Sequence, residues 1–221
     1  VHLGEYLEIS NIVEEFNTSK NPTHRYVSYD YCYNYFYKNK VDAVNNLEKS
    51  CAILGFYLAS WGMMRGSSFL LQKSYKYFEP LINYISSLDD KIWDLDVMDY
   101  KNNSSEVIKI YSDIKNIIIE KEQREIVLVT KIMMGVLGIS PAFDEYFCST
   151  FKKINPKKSK FSVFNKSSLE VIYDFYLQNS DEINSLTRKF KTIDFISGAE
   201  VHCYKQAKII DMYGFTKNFR L

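Results

Sequence analysis

The sequence predicts an all-α fold, a compact bundle of several helices, and three observations carry that expectation. The chain holds 8 glycines and 4 prolines in 221 residues, too few for the tight turns an all-β protein needs. Apolar residues make up 46%, enough to fill a sizeable core at this length without staples. Along most of the chain those apolar positions recur at steps of three and four, the spacing of one helical face.

Taken in order, the first helix is expected from Tyr6 to Phe16, with Tyr6, Ile9, Ile12, Val13 and Phe16 on one side. Asn21-Pro22-Thr23 ends it. The tyrosine-rich segment from His24 to Lys38 reads two ways. Alternation at Tyr29, Tyr31, Tyr33, Tyr35 and Tyr37 suits a strand, while Cys32 and Phe36 suit a helix; the helical neighbours favour helix. From Val41 to Met64, Val44, Leu47, Cys51, Leu54, Leu58 and Trp61 form one stripe, and the small residues Cys51, Gly55 and Ala59 form a second. A helix buried on most sides is expected there. Its uncharged part falls short of the roughly 20 residues a membrane span needs, so no membrane partner is expected.

Pro80 should kink or divide a helix from Phe69 to Leu88. Between Asp89 and Asn103 the periodicity fails. Residues 89–103 are therefore the place where a single domain would divide if it were two helical lobes. Val107, Ile110, Tyr111, Ile114, Ile117 and Ile118 mark an amphipathic helix, and another is expected from Arg124 to Met134. Ser140 and Pro141 should open the next, as N-cap and first helical residue. Lys152 to Phe164 reads as a basic loop. Ser167 and Glu170 have capping-box spacing ahead of Leu169, Ile172, Tyr173 and Tyr176. A last helix from Ala199 to Met212 should stop at Gly214.

Composition narrows the function classes. The 18 tyrosines and 15 phenylalanines come with abundant asparagine, isoleucine and lysine. All have A/T-rich codons, so the aromatic excess is no sign of base stacking. With 28 basic and 27 acidic side chains the net charge is +1. No global field steers the chain to a polyanion, and any such contact must be a local patch. Cys32, Cys51, Cys148 and Cys203 lie far apart, which suits free thiols in a reducing cytoplasm and neither zinc nor a disulfide framework. Glu5, Glu8, Glu14 and Glu15 do not suit a secretory signal. A cytoplasmic protein is expected.

The most specific local pattern runs from Lys131 to Asp144: an apolar helix, a glycine turn at Gly138-Ile139-Ser140, and at once a second helix with Ala142 packing on the first. It resembles the helix-hairpin-helix motif of nucleic-acid-binding proteins, including the helix-hairpin-helix DNA glycosylase superfamily. The resemblance implies that turn amides and a helix N-terminus hold a phosphate oxygen. Gly135, Gly138, Ile139 and Ser140 would then act with Lys152, Lys153, Lys157, Lys158 and Lys160, which crowd between Phe151 and Phe161 with Phe164 beyond. The expected function is salt-sensitive, sequence-independent contact with DNA or RNA backbone, without catalysis.

An alternative site of another class lies at Trp61, Arg65, Gly66, Ser67 and Ser68, where an arginine beside a helix start suits a phosphate or carboxylate. It would make the chain an anion-binding protein or a helical enzyme. A third reading is a scaffold that dimerises through Tyr29 to Tyr37. The remaining patterns carry less. Asp89, Asp90, Asp94, Asp96 and Asp99 lack the order of a calcium loop. His202 and Cys203, adjacent on a helix, would point apart, and Asp113 with Lys115 reads as surface charge. No P-loop, dinucleotide fingerprint or nucleophile elbow occurs. The sequence therefore assigns no cofactor, metal or catalytic residue.

Overall fold

Helix dominates the computed structural model, which describes residues 3–18, 21–120 and 125–219, with side chains from residue 8 onward. The order begins with α1 (Leu3–Thr18), α2 (Ser28–Asn39) and α3 (Leu47–Ser60). Next come α4 (Glu79–Ser86), α5 (Asp90–Asp94), α6 (Tyr100–Ile118) and α7 (Ile126–Ile132). After α8 (Glu145–Ile154), α9 (Lys166–Gln178) and α10 (Ser180–Lys189), a small antiparallel hairpin of β1 (Lys191–Ile193) and β2 (Glu200–Cys203) leads into α11 (Gln206–Thr216). The all-α expectation holds, with that hairpin as its one addition among the described residues. No described helix is long and apolar enough to cross a membrane.

The central helix is α11, every residue of which is buried. It packs chiefly on α8, α1 and α10. Close approach explains its interior glycine: a Cβ on Gly214 would sit 2.4 Å from the Phe147 ring. Gly214 therefore makes room for a neighbour and does not end the helix. The expected start at Ala199 also fails, because the chain there is β2. Helix α3, expected to be buried on most sides, is amphipathic instead. Phe56 is 71% exposed, and Ala52 and Ala59 face solvent beside it. Its stripe begins at Leu47, since residues 40–46 form 3-10 turns that leave Val44 exposed.

Other expectations shift for local reasons. Pro80 lies in the first turn of α4, where its missing N–H costs nothing, so it starts the helix and kinks none. The tyrosine segment is helical, and its Tyr29, Tyr33 and Tyr37 rings stack in series at 5.8 and 5.6 Å. Tyr29 and Tyr33 are core residues, which leaves little of that segment as a free face for a second copy. The N-cap of α9 is Asn165, in a capping box with Ser168, and not Ser167 with Glu170. Phe151, Phe161 and Phe164 are all buried, and Lys152 and Lys153 belong to the last turn of α8.

Residues 89–103 are largely ordered as helix or turn and bonded inward. Trp93, Val97 and Tyr100 are buried. Asp96 accepts hydrogen bonds from Val97 N, Gln206 N and Ala207 N, so it caps both its own turn and the start of α11. Lys205, just before α11, donates from Nζ to the carbonyls of Trp93, Leu95 and Leu137 at 2.6, 2.9 and 3.0 Å. Within the acidic run, Asp96 is therefore an interior capping group.

Candidate functional site

Helix α7 continues as a π-helical turn, Met133–Leu137, which closes on Gly138. Gly138 has φ +65°, and its N–H bonds back to the carbonyls of Met133 and Met134. No α-helix starts there. Residues 139–144 belong to no helix or strand, with a bend at Ser140, and α8 begins only at Glu145 with Asp144 as N-cap. Ser140 fills no cap position; its hydroxyl donates to the Pro141 carbonyl and is fully buried.

The turn read as phosphate-binding is interior. Gly135, Gly138, Ile139 and Ser140 are all buried. The Ile139 carbonyl accepts from Tyr100 OH, and a Cβ on Gly135 would lie 2.2 Å from the Tyr57 ring. Buried amides turned to core partners present no surface to a nucleic-acid backbone. Of the five lysines beyond, Lys158 is paired with Glu170 and Asp174, and Lys153 bonds Asn218. Lys152, Lys157 and Lys160 stay exposed.

What the buried hairpin does is position Asp144. Two core side chains fix the segment before it: Asp211 of α11 accepts from Ala142 N at 3.0 Å, and Thr130 of α7 accepts from Phe143 N at 2.9 Å. Asp144 then caps α8 through Phe147 N. It faces a cleft of about 790 Å³ that also contains the arginine singled out in the sequence. Arg25, Arg65, Lys131, Asp144 and Glu145 supply its charges. Tyr26, Trp61, Phe69, Tyr146, Phe215 and Phe219 supply its aromatic wall.

That wall is built ring on ring. Tyr26 lies 5.0 Å from Trp61 and 5.9 Å from Phe215 between centroids; Phe215 stacks on Phe219 at 4.8 Å, and Tyr146 meets it edge-on at 5.3 Å. Arg25 lies over the Tyr26 ring at 4.8 Å. Arg65 comes from the loop after α3, folded against Gly62, where a Cβ would meet its Nε at 3.2 Å. Gly62 has φ +78°, so its lack of a side chain serves both the turn and the arginine. Ser68 caps the following 3-10 turn through Leu70 N and donates to the Met63 carbonyl, whereas Ser67 and Gly66 are exposed. Neither Arg25 nor Arg65 has an ion pair or side-chain hydrogen bond among the described residues.

The floor is electrostatically unusual. Lys131 is 6% exposed and donates from Nζ to the Trp61 carbonyl at 2.6 Å, with no carboxylate in salt-bridge contact among the described residues. Burial lowers the affinity of its amine for a proton; Asp144 and Asp211 oppose this, and Arg65 and Arg25 reinforce it. Burial likewise pushes the Asp144 carboxyl up to about 6, with Lys131 and the Phe147 amide pulling it back. Behind this floor, Lys208 is boxed by Tyr29 and Trp61, each 4.5 Å from its Nζ, and pairs with Asp211 at 3.3 Å. Lys208 and Asp211 are structural, since neither lines the cleft.

Sequence reasoning found Arg65 and Trp61 here but missed Arg25, Lys131 and Asp144. The last two were in view as the ends of the hairpin run, but nothing local marks a lysine as buried. A second hollow of about 620 Å³, along Asn45 to Lys49 and Tyr75, is nearly flat. Its Glu48 already accepts from Tyr75 OH. His202 sits on β2 against Tyr37, and no cluster of His, Cys, Asp or Glu able to hold a metal occurs among the described residues. Cys32, Cys51 and Cys148 are buried free thiols, and Cys203 is free and exposed. Fold and site together define a mostly helical protein with an arginine-edged aromatic cleft. No family model, curated protein or solved structure matches the chain.

Proposed function

We propose that this protein binds a small anionic ligand with a planar apolar part, held in the cleft between Arg25 and Arg65. The observation that carries this reading is a pair of arginines, neither held in an ion pair among the described residues, at the edge of a concave aromatic wall. A guanidinium in such a cleft gains most from a phosphate or carboxylate, which it can hold through two parallel hydrogen bonds. The aromatic side chains of Tyr26, Trp61 and Tyr146 give the rest of the ligand an apolar surface to pack on. The cleft volume is in the range of small-molecule sites. DNA or RNA contact, expected from the sequence, is left with Lys152, Lys153, Lys157 and Lys160 as exposed cations.

Phenyl phosphate is a suitable probe, read by the fluorescence of Trp61 in the cleft wall. Arg65→Ala should weaken its binding by about tenfold or more, the effect of losing one charge-assisted contact. Lys152→Ala should leave it unchanged. Equal binding by wild type and the Arg65→Ala, Arg25→Ala double variant would sink the proposal.

A further inference from the structure

Lys131 shares its desolvation with Lys205, but Lys205 spends its Nζ on three backbone carbonyls and is not part of the cleft lining. Exposed Lys152, Lys157 and Lys160 are solvated, Lys208 is paired with Asp211, and Lys158 is paired with Glu170 and Asp174. Lys131 lies at the floor of an open cleft, almost wholly out of water, with a single hydrogen bond from its Nζ to a backbone carbonyl. Two arginines and the carboxyls of Asp144 and Glu145 line the same space. An amine desolvated beside other cations loses its proton readily and becomes a nucleophile. A neutral amine that donates one hydrogen to the Trp61 carbonyl keeps its lone pair for an incoming carbon. Position is fixed from both ends, because the Lys131 carbonyl accepts from buried Tyr57 OH.

We infer that the cleft takes an anionic carbonyl compound, an aldehyde or ketone bearing phosphate or carboxylate, and that Lys131 forms an imine with it. The inference rests on the anion-binding reading above, since Arg25 and Arg65 hold the ligand while Lys131 reacts. The Nζ lone pair attacks the carbonyl carbon, the C–N bond forms, and the carbonyl electron pair moves to oxygen. A proton passes from nitrogen to that oxygen, giving a neutral carbinolamine. Asp144 then gives its proton to the hydroxyl, which leaves as water as the C=N bond forms. The product is a protonated imine on Lys131, facing the Asp144 carboxylate. One amine, one carbonyl and one carboxylic acid become one iminium, one water and one carboxylate, so no oxidant or reductant is required. Burial that holds Asp144 protonated to about pH 6 suits it to that proton transfer.

Pyridoxal phosphate is the probe, because it carries a flat ring, a phosphate and an aldehyde. Pyridoxine phosphate, an alcohol of the same shape, is its non-reacting partner. Wild-type protein is treated with pyridoxal phosphate at low molar excess, reduced with borohydride, digested and mapped by mass spectrometry. The expected result is a reduced adduct on Lys131 at least tenfold above that on Lys152, Lys157 or Lys160. Pyridoxine phosphate should compete for the site. Lys131→Arg should lose the adduct and the imine absorbance while still binding pyridoxine phosphate. Labelling spread evenly over exposed lysines, with pyridoxine phosphate still bound through Arg65, overturns the imine and leaves the anion site standing. No binding of pyridoxine phosphate overturns both. The mapping on wild type decides the question even if Lys131→Arg fails to fold.

Discussion

Asp144 does two things that pull its charge in opposite directions. As N-cap of α8 it accepts from Phe147 N, which favours the carboxylate. As a half-buried group at the cleft it is held protonated up to about pH 6 by desolvation. Its folded value thus lies above the ordinary 3.8. Between those two values the folded chain binds the proton more tightly than the unfolded one, so its contribution to stability falls as pH rises through that window. Binding follows the same sign. Below about pH 6 the cleft loses a negative charge and keeps Arg25 and Arg65, so affinity for sulfate, whose own charge is constant there, should rise as pH falls. Asp144→Asn keeps an N-cap oxygen and should bind sulfate at neutral pH as tightly as wild type does in acid, with a flat pH profile. Titration calorimetry at several pH values checks this; a wild-type profile that rises with pH would contradict the assignment.

Among the elements, the hairpin from α7 to α8 shows what a sequence can and cannot convey. The helix, the glycine turn and the second helix were all legible from apolar spacing and from Gly138. What lies between them was not. Ser140 and Pro141 have the residue types of a helix start, yet α8 waits for Asp144, because Asp211 and Thr130 take the amides of Ala142 and Phe143. Those partners are distant in sequence, and local preference yields to them. The same holds for α3 and α11. Hydropathy pointed to the uncharged helix as the central one, but Lys208 and Asp211 neutralise each other inside α11, and that pairing has no local signature. Arg65 was legible because glycine and serine frame it in an otherwise apolar stretch. Lys131 was not, because its burial is made by Trp61 and Tyr57 arriving from α3 and the loop after it. At Gly135, Tyr57 occupies the space of a side chain. Gly135→Ala should cost about 1–3 kcal/mol through overpacking. It should also weaken imine formation, because Tyr57 can no longer reach the Lys131 carbonyl. Urea denaturation and the borohydride adduct report the two effects separately.

At the scale of the whole molecule, α11 is tied to the middle of the chain by polar groups at its start. Lys205 holds three carbonyls from two regions, those of Trp93 and Leu95 near α5 and that of Leu137 at the end of the π turn. Asp96 answers from the other side by capping α11. Burial lowers the Lys205 amine to about 8, with Asp96, Asp94 and Asp99 opposing it, so this clamp is charged at neutral pH. Replacing it by a shape-similar apolar chain leaves three carbonyls without a donor, and each such loss costs about 1–3 kcal/mol when the group stays buried. Lys205→Met should therefore lower stability by at least about 2 kcal/mol. The two tryptophans sit where they can report how that loss spreads. Trp93 is beside the clamp, and Trp61 is in the cleft wall. In single-tryptophan proteins carrying Lys205→Met, both signals should move to the same lower urea midpoint, because one buried cluster contains both rings. Separate midpoints, with Trp93 leaving first, would mean that residues 89–103 and α11 open as a unit while the cleft stays folded. That outcome would put the anion site and the clamp in different cooperative regions and make cleft binding insensitive to Lys205.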